Sequence, residues 1–446
     1  MKRILVLGAG LSSSSLIRYF LDRSEEKDWI VKVGDLSLET AKTKAGHHPR
    51  GEAFAFDVQN SEQCRKEIAA ADIVISMLPA SMHFPVAEAC VSLGKNLVTA
   101  SYISPEIRTL DQKAREKGVL LMNECGVDPG IDHMSAVKLI EEVRAGGGRI
   151  TAFESSTGGL VAPGYENNPW KYKFTWNPRN VVLAGKDGAR FLHNGKFKYI
   201  PYHKLFQRIE TIFIPELGEF EVYGNRDSLQ YRETYGLHDL QTMFRGTIRR
   251  PGYCEAWDTF VQLGATDDSY RMENTENMTY REFINSFMAY STGIPVETKL
   301  ATYLRFGEDS EMMKKLKWLG IFENTPIGVP NLTPAKILQK ILEEKWKLEK
   351  NDKDMILMQH QVDYEKGGKH FKQYATLVCI GQDTVHTAMA LTVGLPVAIA
   401  ARLILEGKYS ASGVKMPIEK AMYEPLLNEL AEFGISFTHE EKEITV

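Results

Sequence analysis

Short aliphatic runs recur through the first third of the chain, each closed by glycine or polar residues and separated from the next by apolar positions at helical spacing. Ile4 to Leu7 is the first, and Leu16, Ile17, Phe20 and Leu21 follow on one helical face, which predicts strand, tight turn, helix. "IVKVGDLS" (Ile30 to Ser37) predicts a second strand ending at Asp35. "DIVISMLP" (Asp72 to Pro79), "NLVTASY" (Asn96 to Tyr102) and "VLLMNEC" (Val119 to Cys125) predict three more, alternating with amphipathic helical stretches. That alternation is the pattern of a parallel, doubly wound sheet.

The pattern changes after Val143, where the glycine-rich "RAGGGR" ending at Arg149 marks a junction. From Ile150 to about Gly264 come short, aromatic-rich β-like runs such as "FKYIPY" and "IETIFIPELGEFEVYG", which predict a mixed or antiparallel sheet. From Thr266 to about Asp352 leucines and charges alternate as on exposed amphipathic helices, a small helical lobe. "DMILMQHQVDYEK" and "KQYATLVCIG" then predict strands returning to the middle domain. The apolar segment Thr387 to Leu405 is close to a membrane-spanning length, but Gly394 and Pro396 predict that it is cut into pieces of a buried helical region.

Length and charge narrow the function. A chain of 446 residues suggests about three domains, and a net charge of −4 offers no basic field for nucleic acid or an acidic membrane surface. The expected partner is a small molecule. Five scattered cysteines lack the spacing of a zinc clamp or a redox pair, and read as reduced cytoplasmic thiols. The N-terminal stretch has no small-residue cleavage site after its apolar run, so no secretion signal is expected.

Chemistry concentrates in a few places. In "VLGAGLSSSS", Gly8 permits the tight turn and Gly10 lets the backbone approach a pyrophosphate at the helix N-terminus, while Ser13 stands where a third glycine is usual. Hydroxyls at Ser12 to Ser14 are candidate phosphate donors. Asp35 lies where an acid binds the ribose 2′-hydroxyl and repels a 2′-phosphate, which favours NAD over NADP, against the alternative of a solvated loop aspartate. "NECGVDPGIDH" follows a strand at its carboxyl end and offers Glu124, Asp128, Asp132 and His133, with Asp132 also a candidate N-cap of a helix beginning near His133. "GGLVAPGYENNPWKYKFTW" sets Lys173 among aromatics that either meet a flat ligand or fill core. "GNRDS" and "RGTIRR" carry guanidiniums suited to carboxylates, although a surface ion pair is the commoner explanation of any one arginine.

Taken in order, "VLGAG", "VISMLP", "VTASYISP", "MNECGVDPGIDHM", "GGLVAP", "NPWKYKFTW", "NRDS", "RGTIR" and "HTAMALTVGLPVAIAARLILEGK" make the chain resemble the L-glutamate-forming saccharopine dehydrogenases, also called saccharopine reductases. The resemblance implies an α/β homodimer with a variant Rossmann domain (1–130 and 386–446), a mixed α/β substrate-binding and dimerisation domain (131–265 and 353–385) and a small helical domain (266–352). It implies cofactor contacts at Gly8, Gly10, Leu11, Ser12, Ser13, Asp35, Leu36, Asp57, Ser76, Gly126, Val127, Asp128, Pro129, Gly130 and Trp176. Substrate contacts would fall on Ser101, Tyr102, Asp128, Arg226, Thr247, Ile248 and Arg249. Thr157 stands where the family often has a cysteine, so a contact from that thiol is missing.

The implied reaction is NAD(P)-dependent oxidation of saccharopine, with hydride leaving the carbon beside the secondary amine and water hydrolysing the imine to L-glutamate and 2-aminoadipate 6-semialdehyde. The reverse is a reductive condensation. Asp128 would anchor an ammonium, Asp128, Lys173, His133 or a water would pass protons, and no metal is required. Rival readings are a carboxyspermidine- or carboxynorspermidine-type dehydrogenase and a non-catalytic NAD(P)-binding sensor. The first would need fewer arginines than this sequence has.

Overall fold

The computed structural model describes residues 1–445. Two compact units emerge, Met1–Arg149 with Ala375–Glu440, and Ile150–Tyr374 with the last residues from Glu441. The glycine-rich junction ending at Arg149 marks the boundary. Residues 131–149, expected with the middle domain, fall in the first unit, because the helix Ile131–Ala145 buries nine of its residues there.

The first unit is built on a wholly parallel sheet whose strands alternate with helices. Its strands are β1 (Lys2–Leu7), β2 (Trp29–Asp35), β3 (Gly51–Ala55), β4 (Ile73–Ser76), β5 (Leu97–Thr99) and β6 (Leu120–Met122), with Gly413–Lys415 added beside β6. The order from that added strand is β6, β5, β4, β1, β2, β3. The chain winds outward from β1 to β3, then crosses back to β4 on the other side of β1. The winding therefore reverses between β1 and β4, the crevice where open α/β sheets hold ligands. Leu7 pairs with Gly34 on one side and Ser76 on the other, so three carboxyl ends finish level.

The apolar C-terminal segment is one unbroken helix, Ala388–Leu405, rather than the pieces expected from Gly394 and Pro396. It is long and apolar enough to cross a membrane, but 83% of it is buried within the chain. Burial in a close-packed seam explains both the composition and the glycine. A Cβ on Gly394 would stand 2.9 Å from the Ser12 carbonyl oxygen and 3.1 Å from the Leu16 nitrogen, so this helix presses directly on the start of the helix after the glycine turn.

The second unit has a mixed sheet, as its alternation predicts. Its strands are β7 (Arg149–Val161), β8 (Ala189–His193), β9 (Lys196–Ile200), β10 (Ile209–Ile214), β11 (Gly218–Gly224), β12 (Arg226–Asp227), β13 (Thr242–Arg249), β14 (Asp354–Lys366) and β15 (Lys369–Ile380). The main order is β10, β11, β13, β7, β14, β15 and then Phe437–Ile444, with β13 parallel to β7 and antiparallel to β11. Helices of 266–352 do not have a core of their own. Leu300, Leu316, Ile337 and Ile341 share one cluster with Trp170, Trp257 and Trp346, which joins the expected helical lobe to the middle part of the chain.

Helix propensity alone favours Gly394→Ala by about 1 kcal/mol. The contact with Ser12 predicts the opposite sign: the variant loses about 1–3 kcal/mol to overpacking and melts at a lower temperature. An unchanged or raised Tm in thermal unfolding contradicts this packing.

Candidate active site

The glycine turn leaves β1 with Gly8 at φ +99°, its N–H donating to the Gly34 carbonyl at 2.8 Å. Any Cβ there would sit 2.7 Å from the Met77 carbonyl oxygen, so only glycine fits. A Cβ at Gly10 would meet nothing within 4 Å, and Leu11 is 64% exposed, so this side of the turn is open to a ligand. A 3-10 turn, Leu11–Ser13, leads into the helix Ser14–Ser24. The first amides of such an entry have no partner within their own helix and attract anions.

The serines divide their labour. Ser13 Oγ donates back to the Gly10 carbonyl at 2.8 Å and is buried, while Ser14 Oγ is held by Lys44 and, at 3.4 Å, the Leu11 carbonyl. The hydroxyls of Ser13 and Ser14 therefore brace the turn and are spent on protein partners, which corrects the expectation that they donate to phosphate. Ser13 fits the third-glycine position because its small side chain closes on its own turn.

Asp35, half-buried at the end of β2, accepts from the Ala9 N–H at 2.8 Å with one oxygen and from the Ser37 N–H at 3.0 Å with the other. It is neither a solvated loop residue nor an idle carboxylate: it ties the glycine turn to β2, and each oxygen keeps a lone pair for a ribose hydroxyl. From Asp35 through Thr40 the chain carries Glu39 but no lysine or arginine, and Leu36 is 72% exposed. Nearby Lys42 pairs with Glu39 at 2.9 Å. Asp57 lies beyond β3, exposed, with its carboxylate accepting the Gln59 N–H at 2.9 Å.

Four further residues gather at the carboxyl edge. Ser76 ends β4, fully buried, its Oγ 2.8 Å from His83 Nδ1. His83 Nε2 lies 2.6 Å from Ser101 Oγ, just beyond β5. Tyr102 donates its hydroxyl to Asp128 at 2.8 Å, fixing a half-buried carboxylate at the same edge.

The 123–133 loop explains its own composition. Gly126 N–H donates to the Pro129 carbonyl at 2.8 Å, and Ile131 N–H to the Gly126 carbonyl at 2.9 Å, folding Gly126, Val127, Asp128, Pro129 and Gly130 into one tight loop with a cis Asp128–Pro129 peptide. At φ +147° any side chain on Gly130 would strike the Gly126 backbone. The following helix begins at Ile131, earlier than expected, so Asp132 lies in its first turn rather than at its N-cap. From there it accepts the Gly130 N–H at 2.6 Å.

Two proposed proton carriers are corrected. His133 is wholly buried, with Nε2 2.9 Å from a Glu124 oxygen, and the other Glu124 oxygen accepts the Ile103 N–H at 3.0 Å. This pair pins the 123–133 loop to the 101–103 stretch and gives the imidazole no open route to a ligand. Lys173, 3% exposed, pairs at 2.5 Å with Asp352, itself 5% exposed. A buried cation neutralised in this way is a strut, since removing either partner strands a charge.

In the second unit the aromatics of 158–176 mainly fill core. Trp170 and Tyr172 are each 1% exposed and pack against Trp346 with ring centres 5.2 and 5.0 Å away, while Trp176 is half-buried. Among the arginines, Arg226 is exposed on β12. Arg250 pairs with Glu166, and Arg245 lies over the Tyr231 ring at 4.3 Å. Thr247 is half-buried and Ile248 buried on β13.

Arg249 differs from these. It is 3% exposed and lies over the rings of Tyr172, Tyr223 and Tyr253 at 5.2, 5.8 and 5.2 Å. Its Nη1 donates to the Ile248 carbonyl at 2.8 Å, whereas Nε, also buried, has no hydrogen-bond partner. Burial raises the pKa of all three phenols, so they remain neutral and present ring faces. Among the described residues no carboxylate lies in ion-pair range of this guanidinium. Such a group carries a desolvation cost that an anionic ligand would relieve. Sequence reasoning grouped Arg249 with its neighbours but missed the cage, because its tyrosines are scattered along the chain. It also missed His83, which lies in none of the quoted motifs, and the pairing of Glu124 with His133, although it offered both residues.

Comparison with known proteins agrees with this layout. Residues 4–122 match the saccharopine dehydrogenase NADP binding domain and residues 126–435 the saccharopine dehydrogenase C-terminal domain. The chain is 33% identical over 99% of both lengths to the NADP(+), L-glutamate-forming saccharopine dehydrogenase of Schizosaccharomyces pombe. Against the enzyme of that name from Saccharomyces cerevisiae it is 32% identical over 97% of this chain and 98% of the relative. The solved apo structure of the L-Glu-forming yeast saccharopine dehydrogenase superposes over 100% of both chains with a TM-score of 0.88 at 31% identity. In sequence and in fold, the chain belongs to the saccharopine dehydrogenase family.

Proposed function

We propose that this protein oxidises saccharopine, using a nicotinamide dinucleotide, to L-glutamate and 2-aminoadipate 6-semialdehyde, and runs the reverse reductive condensation. The observation that carries the choice of substrate is Arg249, a buried guanidinium that no carboxylate among the described residues neutralises. A substrate with three carboxylates supplies what that site lacks.

When bound, the dinucleotide supplies the hydride acceptor. Gly8 would shape the turn, Gly10, Leu11 and Ser12 would offer backbone amides to its pyrophosphate, Asp35 and Leu36 would meet the ribose, and Asp57, Ser76, the 126–130 loop and Trp176 would bound the rest. Asp128, fixed by Tyr102, holds the substrate ammonium electrostatically and takes up its proton as the nitrogen becomes an imine. Arg226, Thr247, Ile248 and Arg249 orient the carboxylates, and Ser101 contacts the reacting end. With His133 and Lys173 locked in buried pairs, Asp128 and water are the groups left to move protons. The protein acts by orientation and charge placement, because an iminium carbon is already a strong electrophile.

The relatives are named for NADP, yet this chain favours NAD. A 2′-phosphate beside β2 would face Asp35 and Glu39 with no arginine or lysine from Asp35 to Thr40. The same reading makes the protein a cytoplasmic homodimer with reduced thiols, in keeping with five buried cysteines that form no disulfide.

Losing a charge-assisted hydrogen bond costs about 1.5–3 kcal/mol, or roughly 10–100-fold in binding. Steady-state kinetics of Arg249→Lys should therefore show the saccharopine KM raised by that factor with kcat less affected, and an unchanged KM contradicts the carboxylate site. Leu36→Arg, at an exposed position, should raise the NADP-to-NAD ratio of kcat/KM by about tenfold or more. A wild-type enzyme that already prefers NADP overturns the cofactor assignment.

A further inference from the structure

Ser76, His83 and Ser101 form a chain of hydrogen bonds that none of the roles above uses. His83 opens the helix His83–Leu93, reached from β4 through the 3-10 turn Ala80–Met82. Its ring is 4% exposed and reaches both serines, Ser76 at 2.8 Å through Nδ1 and Ser101 at 2.6 Å through Nε2. The three residues bridge β4 and β5 at their carboxyl ends. Ser76 is on the side assigned to the cofactor; Ser101 precedes Tyr102, which holds Asp128.

We propose that His83 is a positioning residue for the reaction, a neutral relay that fixes the direction in which the Ser101 hydroxyl points toward substrate and links it to Ser76. Donors and acceptors at the ring fix the polarity of this relay. Burial pushes the imidazole pKa down to about 4, so the ring is neutral under working conditions. A neutral imidazole has one N–H and one bare nitrogen. The two serines therefore cannot play the same role: one donates to the ring, and the other accepts from it and turns its own proton away. Ser76, with no exposed surface, bonds the ring through its side chain, whereas Ser101 is half-buried and adjoins Tyr102, the residue that holds Asp128. The polarity of the relay decides whether Ser101 offers a proton or a lone pair to a ligand.

This inference rests on the saccharopine reading for its kinetic test, so a second readout is independent of turnover. With saccharopine as substrate, His83→Leu and Ser101→Ala should each lower kcat/KM about tenfold, and the double variant should be no worse than either alone, since both remove one device. His83→Gln, which keeps a donor and an acceptor, should recover most of the activity, and Tm should follow neither pattern. Effects that multiply in the double variant, or His83→Leu with full kcat/KM, overturn the relay. In histidine-15N-labelled protein without substrate, the His83 ring should show one neutral tautomer from about pH 5 to pH 8, becoming a mixture in Ser101→Ala. A mixed or protonated ring in the wild type overturns the relay even if saccharopine is turned over. If saccharopine is not turned over and the single tautomer is found, the substrate assignment fails while the relay stands.

Discussion

The parallel pairing of β1 with both β2 and β4 is the constraint on which the nucleotide-binding unit depends. Because Leu7 is level with Gly34 and Ser76, the glycine turn, Asp35 and the Ser76 end of β4 all emerge at one edge. Gly8 must be a glycine because Met77, carried by β4, closes over it. Asp35 then fastens the turn to β2 through the Ala9 N–H. A slip of one residue in either pairing would turn strand side chains to the wrong face and break all three relations together. The C-terminal helix backs the same turn, with Gly394 against Ser12, so residues from opposite ends of the chain shape one binding edge.

Buried charge separates scaffolding from chemistry in this molecule. Lys173 with Asp352 and His133 with Glu124 are closed pairs, with their polar atoms satisfied inside the protein. Asp128 is half-buried and anchored through Tyr102, and Arg249 is caged by neutral aromatic faces without a carboxylate. Closed pairs stabilise only in relation to each other, whereas a buried ion without a counter-ion is poised for a ligand that supplies one. That contrast marks Lys173 and His133 as struts and sets Asp128 in the first unit, and Arg249 in the second, apart from them.

Much of the first unit was legible because βαβ repetition writes itself into the sequence: β4, β5 and β6 fall inside predicted runs, and β1 and β2 overlap theirs but start one or two residues earlier. Strand β3, "GEAFA", and Phe437–Ile444, "FTHEEKEI", escaped because they lie at sheet edges: β3 is short and only half-buried, with Phe54 its one large apolar side chain, and Phe437–Ile444 is mostly exposed and polar. The helix Ala388–Leu405 was misread as broken because Gly394 and Pro396 disrupt an isolated helix, but packing on both sides overrides local propensity. At the site, glycines and Asp35 carry spacing that a motif can capture. Apart from Tyr253, the side-chain partners of Asp128, Lys173 and Arg249 lie 26 to 179 residues away, so their roles depended on contacts that no local pattern encodes.

The most direct test of the account is to follow reduction of the dinucleotide by the purified protein given saccharopine, in parallel with a carboxyspermidine-type secondary amine, and to identify the products. The account predicts reduction with saccharopine alone and release of L-glutamate in equal amount. Reduction with the polyamine-derived amine instead, or cofactor binding without turnover of either, would contradict it.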